Sequence, residues 1–239
     1  MRTIGVIPAR MGSSRFPGKP LARIGGRPMI EHVFRRTAAC ELLDEVIVAT
    51  CDEEIAAAAR GFGARAVLTS PAHERASDRV AEACQADAAD TIVMVQGDEP
   101  MIEPSMIEAA VAGLRAQPDG VCVNLAAPIE SEEEALDPNT IKVAMSRTGC
   151  ALYFSRSPIP ARFAPGAMFK QVCVIAFTRE GLRRFSALPR GPLERIESVD
   201  MLRFLESGIP VQMVPTAVRT QAVDTPADLK KVAALMGLA

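Results

Sequence analysis

The sequence predicts an α/β fold, a mostly parallel sheet with helices on both faces, and three observations predict it. Strand-length apolar runs alternate with segments of helical periodicity four times in the first 115 residues. The strand-length runs are nearly continuous in apolar residues, as buried strands are. Polar clusters stand at the ends of two of them, where such sheets place their sites.

Ile4 to Ile7 is the first strand, stopped at Pro8, and a polar loop over 9–20 follows with two glycines, two prolines and three basic residues. Pro28 to Ala39 carries Met29, Ile30, Val33 and Phe34 at helical spacing. EVIVA (45–49) is a strand, Asp52 begins a helix through Ile55 to Arg60, and Ala64 to Thr69 is a strand. Ser77 to Ala86 is helical, TIVMV (91–95) is a strand running into QGDEP, and Pro104 to Leu114 is a helix. Residues 121–190 read differently. Val121–Ala126, Ile141–Met145, Ala151–Phe154 and Gln171–Phe177 are β-like, and Pro158, Pro160 and Pro165 punctuate them. We take residues 1–239 as a single domain and 121–190 as an inserted lobe or sheet extension. Leu193 to Leu205 reads as one helix, Val211 to Val214 as a strand, and Thr225 to Met236 as the last helix. No internal repeat or low-complexity tract is present.

Composition narrows the function classes. Apolar residues make up 49% of the 239 residues, enough for a large core, and the formal net charge of −2 argues against a broad basic face for nucleic acid. Cys40, Cys51, Cys84, Cys122, Cys150 and Cys173 show no C-x-x-C spacing and read as reduced core cysteines of a cytoplasmic protein. Two histidines, His32 and His73, poorly supply a His-based zinc site or a Ser-His pair. No run reaches the roughly 18 apolar residues of a membrane span, and the N-terminal apolar stretch is too short for a signal peptide.

The chemistry concentrates in the loop ARMGSSRFPGKPL (9–21). It opens at Ala9 and brings Arg10, Arg15 and Lys19 together. Gly12 and Gly18 allow close backbone approach, and backbone N–H groups with the Ser13 and Ser14 hydroxyls can cradle an anion. A nucleoside triphosphate needs this mix of charge and donors. The loop is not a P-loop, because five residues separate its glycines and Pro20 follows Lys19; G-x-G-x-x-G is also absent. Asp98, in VQGDEP (95–100), is a candidate magnesium ligand, since hard cations share carboxylate and phosphate oxygens; an Asp-Glu pair there serves a turn or helix cap as readily. Asp224-Thr225-Pro226 reads first as a helix start, and as a metal site only if Asp224 and Asp98 converge on one metal. Glu194, Glu197 and Asp200 share one helical stripe, facing a cleft or solvent. Arg156 is either a bidentate partner for a substrate carboxylate or an ordinary surface arginine.

Taken in order, IPARMGSSRFPGKPL (7–21), PMIEHV (28–33), VATCDEEI (48–55), VQGDEPMI (95–102), ALYFSRSPIP (151–160), PLERIES (192–198) and VDTPADL (223–229) resemble the 3-deoxy-manno-octulosonate (KDO) cytidylyltransferase family over nearly the whole chain. The resemblance implies a Rossmann-like nucleotidyltransferase fold, a homodimer in which the 121–190 lobe takes part, CTP as donor, an acidic sugar as acceptor, Mg²⁺ as cofactor and a place in lipopolysaccharide biosynthesis. It assigns Arg10, Ser13, Arg15 and Lys19 to the triphosphate, with Ala9, Ser14, Arg79 and Gln96 near the nucleotide. Asp98 and Asp224 would ligate the metal. Gln96, Arg156, Gln171, Glu194 and Glu197 would line the acceptor pocket, and Arg10, Lys19 and Asp98 would carry catalysis.

One segment departs from the family pattern. Where members read close to R-H-L-G-I-Y-G-Y, this chain has KQVCVIAF (170–177), so Gln171 and Ile175 replace a His and a Tyr of the sugar pocket. Each unmet buried polar group costs about 1–3 kcal/mol. CTP use survives such a change; the acceptor shifts toward another ulosonic or small carboxylic acid if the lost donors matter. A sugar-1-phosphate nucleotidylyltransferase and a catalytically dead nucleotide binder are the competing classes. The first usually opens its loop with Gly-Gly, and intact Asp98, Asp224, Arg10 and Lys19 argue against the second.

Overall fold

A computed structural model describes residues 1–13, 15–117 and 119–238. They form two compact units: residues 1–108 with 220–239, and residues 109–219.

The first unit is built on strand β1 (Thr3–Ala9), buried along its whole length. The basic loop follows and closes in a short 3-10 turn at Lys19–Leu21, and two-residue strands β2 (Arg23–Ile24) and β3 (Arg27–Pro28) make a small hairpin. Helix α1 (Met29–Ala38) turns Met29, Ile30 and Val33 inward, β4 (Glu45–Thr50) follows, and α2 (Glu53–Gly61) leads to β5 (Arg65–Leu68). Helix α3 (Ala76–Ala83) and β6 (Thr91–Val95) complete the alternation. The sheet order is β6-β1-β4-β5, all parallel. β1 and β6 are paired neighbours and end side by side, which brings the loop after β1 next to QGDEP. The parallel sheet is the one the alternating pattern predicts. Helix α4 (Pro104–Arg115) contains the boundary between the units.

The second unit holds β7 (Cys122–Pro128), α5 (Glu132–Leu136), β8 (Lys142–Met145), β9 (Ala151–Ser155), β10 (Phe169–Thr178), α6 (Arg179–Ala187), α7 (Pro192–Glu197), α8 (Leu202–Glu206) and β11 (Gln212–Pro215). β11 runs parallel to β7; β7–β10, β10–β8 and β8–β9 are antiparallel. β10 bulges between Val172 and Ile175 against β7. Its core includes Phe177, Phe185 and Phe204, with Phe185 and Phe204 edge-to-face at 5.2 Å. The unit is wider than the lobe expected at 121–190.

Two details differ from the sequence reading. The single helix expected over 193–205 is two, α7 and α8, because Ser198 adopts a left-handed conformation (φ 56°) between them. Glu194, Glu197 and Asp200 therefore do not share one helical stripe. The short helices α5 and α6 also fall where only β-like periodicity stands out; Ser131 and Thr178 cap them by accepting from Glu134 N–H and Gly181 N–H.

The chain returns to the first unit with α9 (Pro226–Leu235), started by a capping box of Thr225 and Asp228. Ile24, Met29, Val223 and Val232 form a small core there, with Phe16, Met101, Leu229 and Met236 packed on it. This core joins the basic loop, the segment after QGDEP and the C-terminal helix, and so fixes where Asp224 stands. Among the described residues, no helix is long and apolar enough to cross a membrane.

Candidate active site

The loop after β1 is shaped from within. The Met11 carbonyl accepts from the N–H groups of Ser13 and Gly18 (2.9 and 3.2 Å), so the chain doubles back on itself. The Ser13 hydroxyl accepts from Phe16 N–H at 3.3 Å. Phe16 then anchors the loop in the small core, and Gly18, with φ 73°, makes the turn into Lys19. That conformation strains any residue with a Cβ. Ala9 is buried at the end of β1, and Arg10 next to it is exposed. Ser14, a predicted nucleotide contact, lies outside the described residues.

Asp52, which the sequence reading takes only as a helix start, helps to hold the loop. It precedes α2 without capping it by its side chain. Its Oδ2 accepts instead from Met11 N–H at 2.8 Å, tying the loop to the end of β4. No local pattern signals this, because the partner lies 41 residues away.

Lys19 is the centre of the site. Its Nζ donates to Asp98 Oδ2 (2.7 Å) and to the Val223 carbonyl (2.8 Å) and lies 3.5 Å from Asp224 Oδ1. Arg15 donates to the same Asp224 oxygen at 2.9 Å. Val223 N–H in turn donates to the Asp98 carbonyl at 2.9 Å, locking the two carboxylate-bearing segments together. The structure therefore brings Arg15, Lys19, Asp98 and Asp224 into one cluster, with the two carboxylates converging on the Lys19 ammonium. Two carboxylate oxygens that converge on one ammonium suit a hard cation equally well. Among the described residues no group of three or more His, Cys, Asp or Glu side chains offers a complete metal cage. Two carboxylates are the number of protein ligands that Mg²⁺ often takes when substrate oxygens complete its shell.

Gly97 explains part of the motif. A Cβ there would stand 2.9 Å from the Pro8 carbonyl oxygen at the end of β1. Gly97→Ala is expected to cost about 1–3 kcal/mol through this clash with backbone and to push Asp98 away from Lys19. Chemical denaturation alongside a turnover assay checks it; wild-type values for both would mean the contact relaxes freely.

Gln96, at the end of β6, is half-buried, and its carbonyl accepts from Glu99 N–H. Arg79 faces inward at 2% exposure, donating to the Thr69 hydroxyl and to the Ser70 and His73 carbonyls. It braces the 69–73 segment. Glu82 braces the same segment, accepting from Ser70 N–H and pairing with the His73 ring. The Ser70 N–H, more than His73, holds the Glu82 carboxyl below its ordinary range.

The remaining predicted residues belong to the second unit. Glu197 accepts from the Ser155 hydroxyl (2.8 Å), the Tyr153 hydroxyl (3.3 Å) and Arg156 N–H (2.8 Å). Burial first, and the Glu197 carboxylate second, push the Tyr153 phenol up. The Arg156 guanidinium donates to the carbonyls of Glu197, Pro138 and Ser198. Its neighbour Lys142 is fully buried, donates to the Asp137 and Arg156 carbonyls, and has its pKa lowered by that burial. Gln171 donates to Asn124 Oδ1 at 2.6 Å, and Asn124 donates to the Val172 and Val174 carbonyls at the β10 bulge.

Glu194 corrects the sequence reading of an acceptor-lining carboxylate. It is 0% exposed, and its two oxygens accept from Arg203 at 2.7 and 2.8 Å. Arg203 is itself 2% exposed and stacks over the Phe185 ring at 4.1 Å. A carboxylate fully engaged by a buried arginine supports the fold and faces no ligand.

The family model described as cytidylyltransferase matches residues 4–214. The chain is 44% identical over 237 residues to a 3-deoxy-manno-octulosonate cytidylyltransferase of Solibacter usitatus, covering 98% of this chain and 94% of that one. It is 46% identical over 240 residues to a protein of the same name from Syntrophobacter fumaroxidans, covering 97% and 96%. A solved CMP:2-keto-3-deoxy-manno-octonic acid synthetase complexed with CTP is 41% identical and superposes with a TM-score of 0.92 over 99% of each chain. With the loop, the paired carboxylates and this full-length likeness in agreement, the chain belongs to the 3-deoxy-manno-octulosonate cytidylyltransferases of the cytidylyltransferase family.

Proposed function

We propose that the chain transfers the CMP moiety of CTP to a hydroxyl of KDO, forming a CMP-sugar and releasing pyrophosphate. The observation that carries the reading is the convergence of Lys19 and Arg15 with Asp98 and Asp224 beside an anion-cradling loop, in a chain that aligns end to end with named KDO cytidylyltransferases. In this reading Arg10, Ser13, Arg15 and Lys19 hold the triphosphate, Ala9 and Gln96 border the nucleotide, and Asp52 and Arg79 act by bracing the segments around it. Asp98 and Asp224 hold magnesium, which when bound neutralises phosphate charge and lowers the pKa of an oxygen it ligates. The acceptor oxygen bonds to the α-phosphorus as the bond to the departing pyrophosphate breaks, and the hydroxyl proton is released. Positioning and charge do most of the work in such a transfer, which suits a chain with two histidines.

On the acceptor side we retain Gln96, Arg156, Gln171 and Glu197, supported by the family likeness. We further propose a cytoplasmic homodimer supplying activated sugar for lipopolysaccharide. The dimer is supported by exposed Leu152 on β9, Leu193 and Ile196 on α7, and Phe163, all in the second unit.

Pyrophosphate release from CTP and Mg²⁺, with and without KDO, tests the reading. Release that requires KDO supports donor and acceptor together; no release with KDO or any other acid overturns it. Gln171→His is expected to raise kcat/KM for KDO several-fold, about the worth of one hydrogen bond at 0.5–1.5 kcal/mol. An unchanged preference among acids would remove Gln171 from acceptor recognition.

A further inference from the structure

We propose that Lys19 is a surrogate cation, which occupies the Asp98–Asp224 pair until a polyphosphate draws it away and only then frees the carboxylates to bind a divalent ion. The inference rests on the cytidylyltransferase reading and extends it to the order of binding.

Among the described residues the ammonium has three oxygen neighbours: Asp98 Oδ2 at 2.7 Å, the Val223 carbonyl at 2.8 Å and Asp224 Oδ1 at 3.5 Å. All three are hard oxygen donors, the kind that Mg²⁺ prefers. The side chains involved are largely shielded, with Lys19 13%, Asp98 29% and Asp224 23% exposed, so solvent screens the pairing only in part. Arg15 places a second positive charge on Asp224. A divalent cation approaching the carboxylates meets two positive charges and oxygens that are already engaged.

The backbone under Lys19 is held, so a change of partner falls to its side chain. Gly18 and buried Pro20 flank it, and Phe16 anchors the loop in the small core. The four-carbon stem of lysine carries a compact charge with rotatable donors. A triphosphate seated on the loop offers Lys19 and Arg15 a denser negative charge than two carboxylates do. Lys19 then moves from carboxylates to phosphate, and Asp98 and Asp224 become available at the moment phosphate oxygens complete the metal's shell. The Val223–Asp98 backbone bond keeps the two carboxylates together throughout.

The test is Mn²⁺ binding to the full chain without nucleotide, followed by electron paramagnetic resonance and calorimetry. Lys19→Met and Lys19→Gln are expected to bind Mn²⁺ about tenfold tighter than wild type, a difference of roughly 1.4 kcal/mol. Lys19→Arg keeps the charge and should stay near wild type. Adding Asp98→Asn to Lys19→Met should erase the gain. A folded Lys19→Met or Lys19→Gln that binds Mn²⁺ no tighter than wild type overturns the surrogate role. So does tight Mn²⁺ binding by wild type without nucleotide. KDO-dependent turnover by the wild type judges the cytidylyltransferase reading separately, so failure of one is distinguishable from failure of the other.

Discussion

Asp98→Asn is expected to lower kcat for KDO-dependent pyrophosphate release by at least about 10²–10³-fold, the scale set by removing one fixed electrostatic stabiliser from a transition state. The substitution keeps the volume and one oxygen acceptor for Lys19 but removes the charge that would hold a divalent cation. Stability should change little. Lys19 retains the Val223 carbonyl and Asp224, and a partly exposed ion pair contributes about 0–1 kcal/mol. Steady-state kinetics at saturating Mg²⁺, with a thermal melt of the same sample, separates the two effects. A wild-type kcat would remove Asp98 from the metal site, and a collapsed melt would make the carboxylate a structural one.

Glu194→Ala should do the reverse. Its carboxylate is fully buried, and removal leaves the Arg203 guanidinium, 2% exposed, facing Phe185 without its bidentate partner. Breaking a buried pair on one side costs about 3–5 kcal/mol, because the remaining charge is stranded. Glu194→Gln, which keeps hydrogen-bonding atoms, should cost less. Denaturant unfolding measures both. At temperatures where the variant stays folded, KM for the acid should match wild type. A raised KM with unaltered stability would return Glu194 to the acceptor pocket.

Much of the site was readable in the chain. The loop 9–21 carries its basic residues and glycines within one short segment, and QGDEP follows an apolar run of strand length. The start of α9 was readable from Thr225-Pro226 for the same local reason, a capping box that spans four residues. Asp52 was hidden because the same residue type serves a helix start and a distant N–H equally well. Glu194 was misjudged because helical periodicity tells which face a residue shares, not whether that face is wet. The break at Ser198 was invisible, since a serine in a left-handed conformation leaves no compositional trace.

The sequence by itself determined the alternation of strands and helices, the parallel order this implies, and the chemistry of a loop fit for a triphosphate, because periodicity and local turn chemistry act over a few residues. The tertiary structure alone decided the partners. Lys19 meets Asp98 across 79 residues and the Val223 carbonyl across 204, and Arg15 meets Asp224 across 209. Those pairings follow from β1 and β6 ending side by side and from the small core that docks α9, and packing at such separations is set by the whole fold rather than by any segment of it.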